Sequence, residues 1–191
     1  MNKKLFCNFL FALTAGIFTS HVLADENTTK KLATVDSSFS YEFTINRPAS
    51  EVWPHLLALG KWAHKGVTFK PVSGSLGTEG QLLTITLQDE NTPAYYYKVI
   101  EATPLKKIAY KMYPVPGHDS PFDDVVLFDS VRLVEQDGKT KIFLDSNGEF
   151  QSSAMTYIQL KEWVAELNLS AKRRWKEIQE PSLRKLITGT D

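Results

Sequence analysis

From Phe39 through Tyr41 and Phe43 to Ile45, apolar residues alternate with polar ones. A period of two belongs to a strand with one buried face. Pro48 then opens a short helix carrying Val52, Trp53, Leu56 and Leu57 on one side, and Pro54 within it keeps it short or bent. The chain turns between Gly60 and Gly66, passing Trp62 and His64. Val67 to Ser73, Gln81 to Asp89, Ala94 to Thr103 and Lys107 to Tyr113 read as strands, separated by Gly and Pro signals. From residue 128 a strand, an Asp137-Gly138 turn and a second strand ending at Phe150 form a hairpin, since Asp and Gly tolerate the positive φ such a turn needs. Ser152 and Ser153 are expected to cap the helix that follows. Along it Leu160, Val164, Leu167, Ala171, Trp175 and Ile178 recur at steps of three and four, one apolar stripe facing a core. The order is strand, two short helices, six strands, long helix.

The hairpin fixes which side chains share a face. With Asp137 and Gly138 as the loop, Leu133 lies by Ile142, Val131 by Leu144 and Asp129 by Ser146, and this face is apolar apart from the last pair. Arg132, Phe143, Ser130 and Asp145 take the other, outward face. Lys98 and Lys111 set the parity of the middle strands, sending Tyr95, Tyr97, Val99, Ile108, Tyr110 and Met112 inward, and Leu83, Ile85 and Leu87 follow by the same argument. Three tyrosines and an aspartate in an inward set are unusual, because buried polar groups need partners. Two readings stand side by side. The tyrosines are either core residues whose hydroxyls reach the surface or the wall of a cavity that orients a polar group. Asp129 is either a rim carboxylate bonded to Ser146 or a ligand-orienting, proton-accepting group with a raised pKa. On the cavity reading the ligand-binding residues are Ile85, Tyr95, Tyr97, Tyr110, Met112 and Asp129. Val131, Leu144, Trp62 at the bend and Leu167 on the helix stripe complete them.

The N-terminus changes the compartment. Met1-Asn2-Lys3-Lys4 is a positive n-region, Leu5 to Phe18 an apolar stretch, and Val22-Leu23-Ala24 a small-residue cleavage site, so residues 1–24 read as a secretory signal peptide. Asn8 and Thr14 interrupt the run, which falls short of the roughly 20 residues a spanning helix needs, so no stable membrane insertion is expected after cleavage. Residues 25–37 are polar and read as a flexible lead-in, and residues 38–191 as a single domain. The expected location is the periplasm or the medium. The chain's one cysteine, Cys7, lies inside the signal, so the mature chain offers no disulfide, thiol nucleophile or thiolate metal site. Without Lys3 and Lys4, the 22 basic residues fall to 20 against 22 acidic ones, which argues against nucleic acid as a partner.

Other motifs carry little chemistry. Gly74-Ser75-Leu76-Gly77 with Gly80 joins two strands, so it is a hairpin turn and neither a phosphate loop nor a serine elbow. His118, Asp119, Asp123 and Asp124 sit in a loop without fixed spacing and read as a solvated turn; no metal and no cofactor is expected. His55 and His64 are too isolated for a catalytic triad. Lys172, Arg173, Arg174 and Lys176 read as a solvated helix face, with Arg173–Glu177 and Lys176–Glu180 spaced as i,i+4 pairs.

Four segments resemble the START-like, Bet v 1-like domains, the helix-grip fold of the SRPBCC superfamily. Asn46-Arg47-Pro48-Ala49-Ser50-Glu51-Val52-Trp53 resembles that family's first strand passing into its first helix, and Lys61-Trp62 its tryptophan-bearing bend. Val99-Ile100-Glu101-Ala102-Thr103-Pro104 with Ile108-Ala109-Tyr110 is similar to its proline-centred hairpin, and Asp137-Gly138-Lys139-Thr140 with Ile142 and Leu144 to its last one. The resemblance spans Phe39 to about Ile178. It implies an α+β fold in which a curved antiparallel sheet of about seven strands wraps round a long C-terminal helix, with two short helices after the first strand. It also implies a cavity for a hydrophobic small molecule or lipid. The expected function is that of an exported carrier or binding protein. The alternative is an enzyme resembling the polyketide cyclases and dehydrases of the superfamily, using an internal carboxylate or tyrosine.

Overall fold

The computed structural model describes residues 32–63, 66–87 and 90–189. The expected signal segment, the lead-in as far as Lys31, and His64 lie outside them. Seven antiparallel strands form one sheet in the order β1-β7-β6-β5-β4-β3-β2. The strands are β1 (Ala33–Ile45), β2 (Val67–Ser73), β3 (Leu82–Leu87), β4 (Pro93–Thr103), β5 (Lys107–Pro114), β6 (Asp124–Gln136) and β7 (Lys139–Ser152). Helices α1 (Ala49–Leu57) and α2 (Leu59–Trp62) follow β1, and α3 (Tyr157–Arg174) lies after β7.

The final hairpin has the predicted register, with Leu133 opposite Ile142, Val131 opposite Leu144 and Asp129 opposite Ser146. Asp137 and Gly138 both take positive φ, 52° and 68°, so the two-residue turn leaves no freedom to slip. The inward faces of β4 and β5 follow in turn, with Tyr95, Val99, Ile108, Tyr110 and Met112 buried. Strand β1 starts earlier than expected. Ala33 to Ser37, read as part of a flexible lead-in, pair with Ser152 to Gly148 of β7. Ala33 and Ser37 are buried, and the Ser37 hydroxyl donates to Asn168 Oδ1 of α3 at 2.8 Å. The long β7 partner supplies the backbone hydrogen bonds that a free polar segment would have taken from water.

Helix α1 has Pro48 at its N-cap, which offers no side-chain acceptor. Glu135 of β6 substitutes, its carboxylate accepting from the Ala49 N–H at 2.8 Å. That contact fixes the helix entry against the sheet and places a negative charge at the positive end of the helix dipole. The cap of α3 also differs from expectation. Ser152 ends β7, buried, with its hydroxyl donating to the Pro121 carbonyl, and Thr156 caps the helix in a reciprocal pair with Gln159. A Thr followed three residues later by Gln is a capping box.

On α3, Leu160, Val164 and Leu167 are buried against the sheet. Phe122, Phe150 and Trp163 close that end with ring centroids 4.7 to 5.4 Å apart. The helix then departs from the expected stripe. Residues Trp175–Gln179 form a π turn before helix α4 (Glu180–Thr188). A π turn inserts one extra residue, about 100° of helical phase. Ile178, expected to face inward, is exposed, and Leu183 is wholly buried in its stead. Glu180 holds the new segment in place by accepting from Tyr41 and pairing with Arg184, whose Nε lies 2.7 Å away. It therefore serves a different role from the expected partner of Lys176.

The phase shift is testable by truncation. Leu183→Ala is expected to lower stability by about 2 to 5 kcal/mol, and Ile178→Ala by less than about 1 kcal/mol, read from urea midpoints. A larger loss at Ile178 would mean the helix runs on without the extra residue.

Candidate functional site

Beyond Leu167 the helix stripe continues with Ala171, Arg174 and Trp175, and here helix and sheet part. The gap is a cavity of about 240 Å³. The sheet contributes Tyr97, Tyr110, Met112, Asp129, Val131 and Leu144, and the second short helix contributes Trp62. These are seven of the ten residues singled out in the sequence. Ile85, Tyr95 and Leu167 face the same side but are buried in solid core away from the cavity lining. Strand and helix parity select a face; they do not say how far along the element the packing opens.

Residues that the sequence reading left out complete the wall. Phe39 comes from β1, Leu59 from α2, Val67 and Phe69 from β2, and Leu127 from β6. Ala171, Arg174, Trp175 and Gln179 come from the terminal helix. Ser130 and Asp145, assigned to the outward face, also contribute to the lining beside Ser146. The sharpest omission is Arg174, read as part of a solvated basic face. It stands seven residues beyond Leu167 and fourteen beyond Leu160, which returns it to the buried stripe. That phase was visible in the sequence, but the charge of the residue masked it.

The polar end of the cavity is built from four adjacent strands, β4 to β7. Asp129 lies between its cross-strand partners Tyr110 and Ser146. The Tyr97 hydroxyl donates to Asp129 Oδ2 at 2.9 Å, and the Ser146 hydroxyl bonds the same carboxyl. The Tyr97 and Tyr110 rings stack with centroids 4.4 Å apart and planes within 8°, and Phe69 abuts Tyr97 at 6.1 Å. This ladder holds the Tyr97 hydroxyl in place, because a stacked ring cannot swing without losing its neighbour. Burial raises the pKa of Asp129 above the ordinary 3.8, while the bonds from Ser146 and Tyr97 oppose the rise. Burial, and then the charge on Asp129, push Tyr97 well above the usual phenol value, and the same causes in the same order raise Tyr110. Tyr97 therefore remains a donor at every working pH. Asp129 retains a small exposed surface although its carboxyl is packed about by protein, as suits a group facing an internal space.

The opposite wall carries Arg174, whose pKa is lowered by burial of the guanidinium to about 10, so it stays charged at neutral pH. Trp175 beside it packs on Trp62 at 5.2 Å, Phe43 at 6.3 Å and Tyr41 at 6.4 Å. Trp62 is oriented by its own Nε1–H, which donates to the His55 carbonyl at 2.9 Å. The cavity thus has aromatic sides, a carboxyl held by hydroxyls on the sheet, and a guanidinium on the helix.

The remaining candidate chemistry lies elsewhere. Asp123 accepts from the Ser153 backbone and hydroxyl, and Asp124 from the Val125 N–H, so these two carboxylates serve local structure. Among the described residues no group of three or more His, Cys, Asp or Glu is arranged to hold a metal ion. Among them, too, no helix is long and apolar enough to cross a membrane.

No family model matches the sequence, and neither does any curated protein. Solved structures do match in three dimensions. Ara h 8.0201, a Bet v 1 homologue, superposes with a TM-score of 0.59 at 13% identity, over 82% of this chain and all of that one. A protein from Mesorhizobium loti gives 0.56 at 18% identity, over 81% and 98%. Truncated norcoclaurine synthase from Thalictrum flavum gives 0.52 at 16% identity, over 83% and 98%. With seven antiparallel strands, two short helices after the first and a long C-terminal helix, this chain has the Bet v 1-like helix-grip fold.

Proposed function

We propose that the protein is an exported binding or carrier protein that holds one small hydrophobic molecule between the sheet and the terminal helix. The observation that supports it is the cavity itself, apolar and aromatic on most sides with one buried carboxyl fixed by Tyr97 and Ser146. Few, well-placed polar groups in an apolar hollow are the general form of a ligand site. The volume narrows the ligand. About 240 Å³ lies between the roughly 150 Å³ of a hollow that takes benzene and the roughly 300 Å³ at which pockets for drug-sized molecules begin. A molecule of one or two rings fits this space, and a two-chain lipid does not. Export rests on the positive, then apolar, then small-residue order of residues 1–24.

A second reading, catalysis, is favoured by the Tyr97–Asp129 pair. A carboxyl whose pKa is raised by burial is suited to accept a proton from a bound carbon acid or hydroxyl, with Tyr97, its own pKa raised too, holding the carboxyl in position. The fold also hosts norcoclaurine synthase. A polyketide substrate would have to be a short chain in this volume.

Three measurements test these readings. Calorimetric titration with 2-naphthol is expected to show saturable one-to-one binding, and Ala171→Phe, which fills the cavity from the helix, to abolish it with the circular dichroism spectrum unchanged. A wild-type protein that folds and takes up no 2-naphthol overturns the binding function. Protein recovered from its native cells should begin at Asp25; a full-length chain in the cytoplasm contradicts export. The third concerns Asp129. A carboxyl whose folded pKa is raised binds more protons folded than unfolded, so its contribution to stability declines as pH climbs from the ordinary 3.8 through the raised value. Asp129→Asn removes that decline. The variant should gain on wild type as pH rises from 4 to 8, measured by thermal melting, whereas a gain that grows on acidification would show the carboxyl to be stabilised as the anion.

A further inference from the structure

We infer that the ligand is a small aromatic carboxylic acid with a hydroxyl at its far end, its carboxylate on Arg174 and its hydroxyl on Asp129. This rests on the binding function proposed above and specifies the chemistry of the same cavity. Three features lead to it. The first is the opposition of charges. Asp129 belongs to β6 and Arg174 to the helix that faces the sheet, and both line one space. Both groups already have protein partners, so a wholly apolar guest adds nothing to either, whereas a guest with polar ends can add a bond to each. A guest that supplies an acceptor at the helix end and a donor at the sheet end is therefore held more tightly than one that supplies neither.

The second feature is bonding capacity. A carboxylate offers about four acceptor sites and Asp129 receives Tyr97 and Ser146, so a third donor can be taken. A guanidinium has five N–H donors in a planar fork that matches a carboxylate two by two, enough to serve a protein neighbour and a ligand together. Arginine at this place favours a planar anion over a carbonyl or hydroxyl. The third feature is the shape between the poles. Trp62, Trp175, Phe69 and the Tyr97–Tyr110 stack present aromatic walls, and the volume admits one or two rings. Flat guests gain most from such walls.

The π turn fits this placement. It follows Arg174 immediately, and Arg174, Trp175 and Gln179 all line the cavity. In a regular α-helix Gln179 would stand one step further from Arg174 around the axis; the wider turn brings further polar surface to the end of the hollow where the carboxylate would sit.

The test uses three probes of nearly equal size with the mature protein: 4-hydroxycinnamic acid, its carboxamide 4-hydroxycinnamide, and cinnamic acid, each titrated calorimetrically at pH 7.5. Wild type should prefer the acid over the amide by about tenfold or more, the range of a charge-assisted hydrogen bond in a partly buried site. Arg174→Gln should erase that preference while still binding the amide, and Arg174→Lys should restore part of it. The hydroxylated acid should outbind cinnamic acid several-fold, an advantage that Asp129→Asn reduces. Equal binding of acid and amide by wild type overturns this inference and leaves the cavity as a site for neutral guests. Failure to bind any of the three probes or 2-naphthol overturns the cavity reading as well.

Discussion

A straight helix cannot fill the concave side of a seven-stranded sheet along its whole length, and the rest of the molecule follows from where the two meet. They meet at the start of α3. Leu160, Val164 and Leu167 are buried there, and Phe122, Phe150 and Trp163 lock the contact edge to face. Past Leu167 the stripe offers a methyl group, a guanidinium and an indole in place of leucine and valine. Ala171 leaves room, Arg174 cannot be driven into apolar core, and Trp175 reaches sideways to the aromatic residues of β1 and α2. The cavity is thus the physical consequence of three residue choices on one helix face, because close packing tolerates few voids unless side chains are chosen to leave them.

The sheet responds with polarity at the same level. Asp129 replaces what parity makes an apolar position between Leu127 and Val131, and its neighbours Ser146 and Tyr97 are the residues able to donate to it. A buried carboxyl with two fixed donors is tolerable, whereas one with none would be among the costliest features a small domain can carry. The stack on Tyr110 matters for the same reason: it removes the rotational freedom that would let the phenol turn away. Stability and site are therefore coupled, since the bonds that make Asp129 affordable also orient it.

Much of this was legible in the sequence, and the boundary of what was legible is physical. The Asp137-Gly138 turn set the register of β6 and β7, and from it the face shared by Asp129, Val131, Ser146 and Leu144. Parity then carried the argument to Tyr97 and Tyr110. It placed Ile85, Tyr95 and Leu167 on the correct side at the wrong depth, because the point where helix and sheet separate is a tertiary property. Phe39, Phe69 and Leu127 were missed for the same reason. Arg174 was missed through too strong a rule about charge, while the π turn has no local signature and displaced Ile178 in favour of Leu183. The pairing of Ala33 to Ser37 was hidden by polar composition, although Ala33 and Val35 continue the alternation of Phe39 and Tyr41.

The contact between Trp62 and Trp175 has an optical consequence. Two indoles 5.2 Å apart and inclined by 42° couple their transitions, and their signal in the near ultraviolet depends on mutual orientation. One ring is carried by the short helix after β1 and pinned through its N–H to the His55 carbonyl; the other rides on the terminal helix at the π turn. The other two tryptophans, Trp53 and Trp163, lie outside the cavity lining. Any displacement of the terminal helix from the sheet must change the angle within this pair, so the molecule carries a built-in gauge of how far its grip is open.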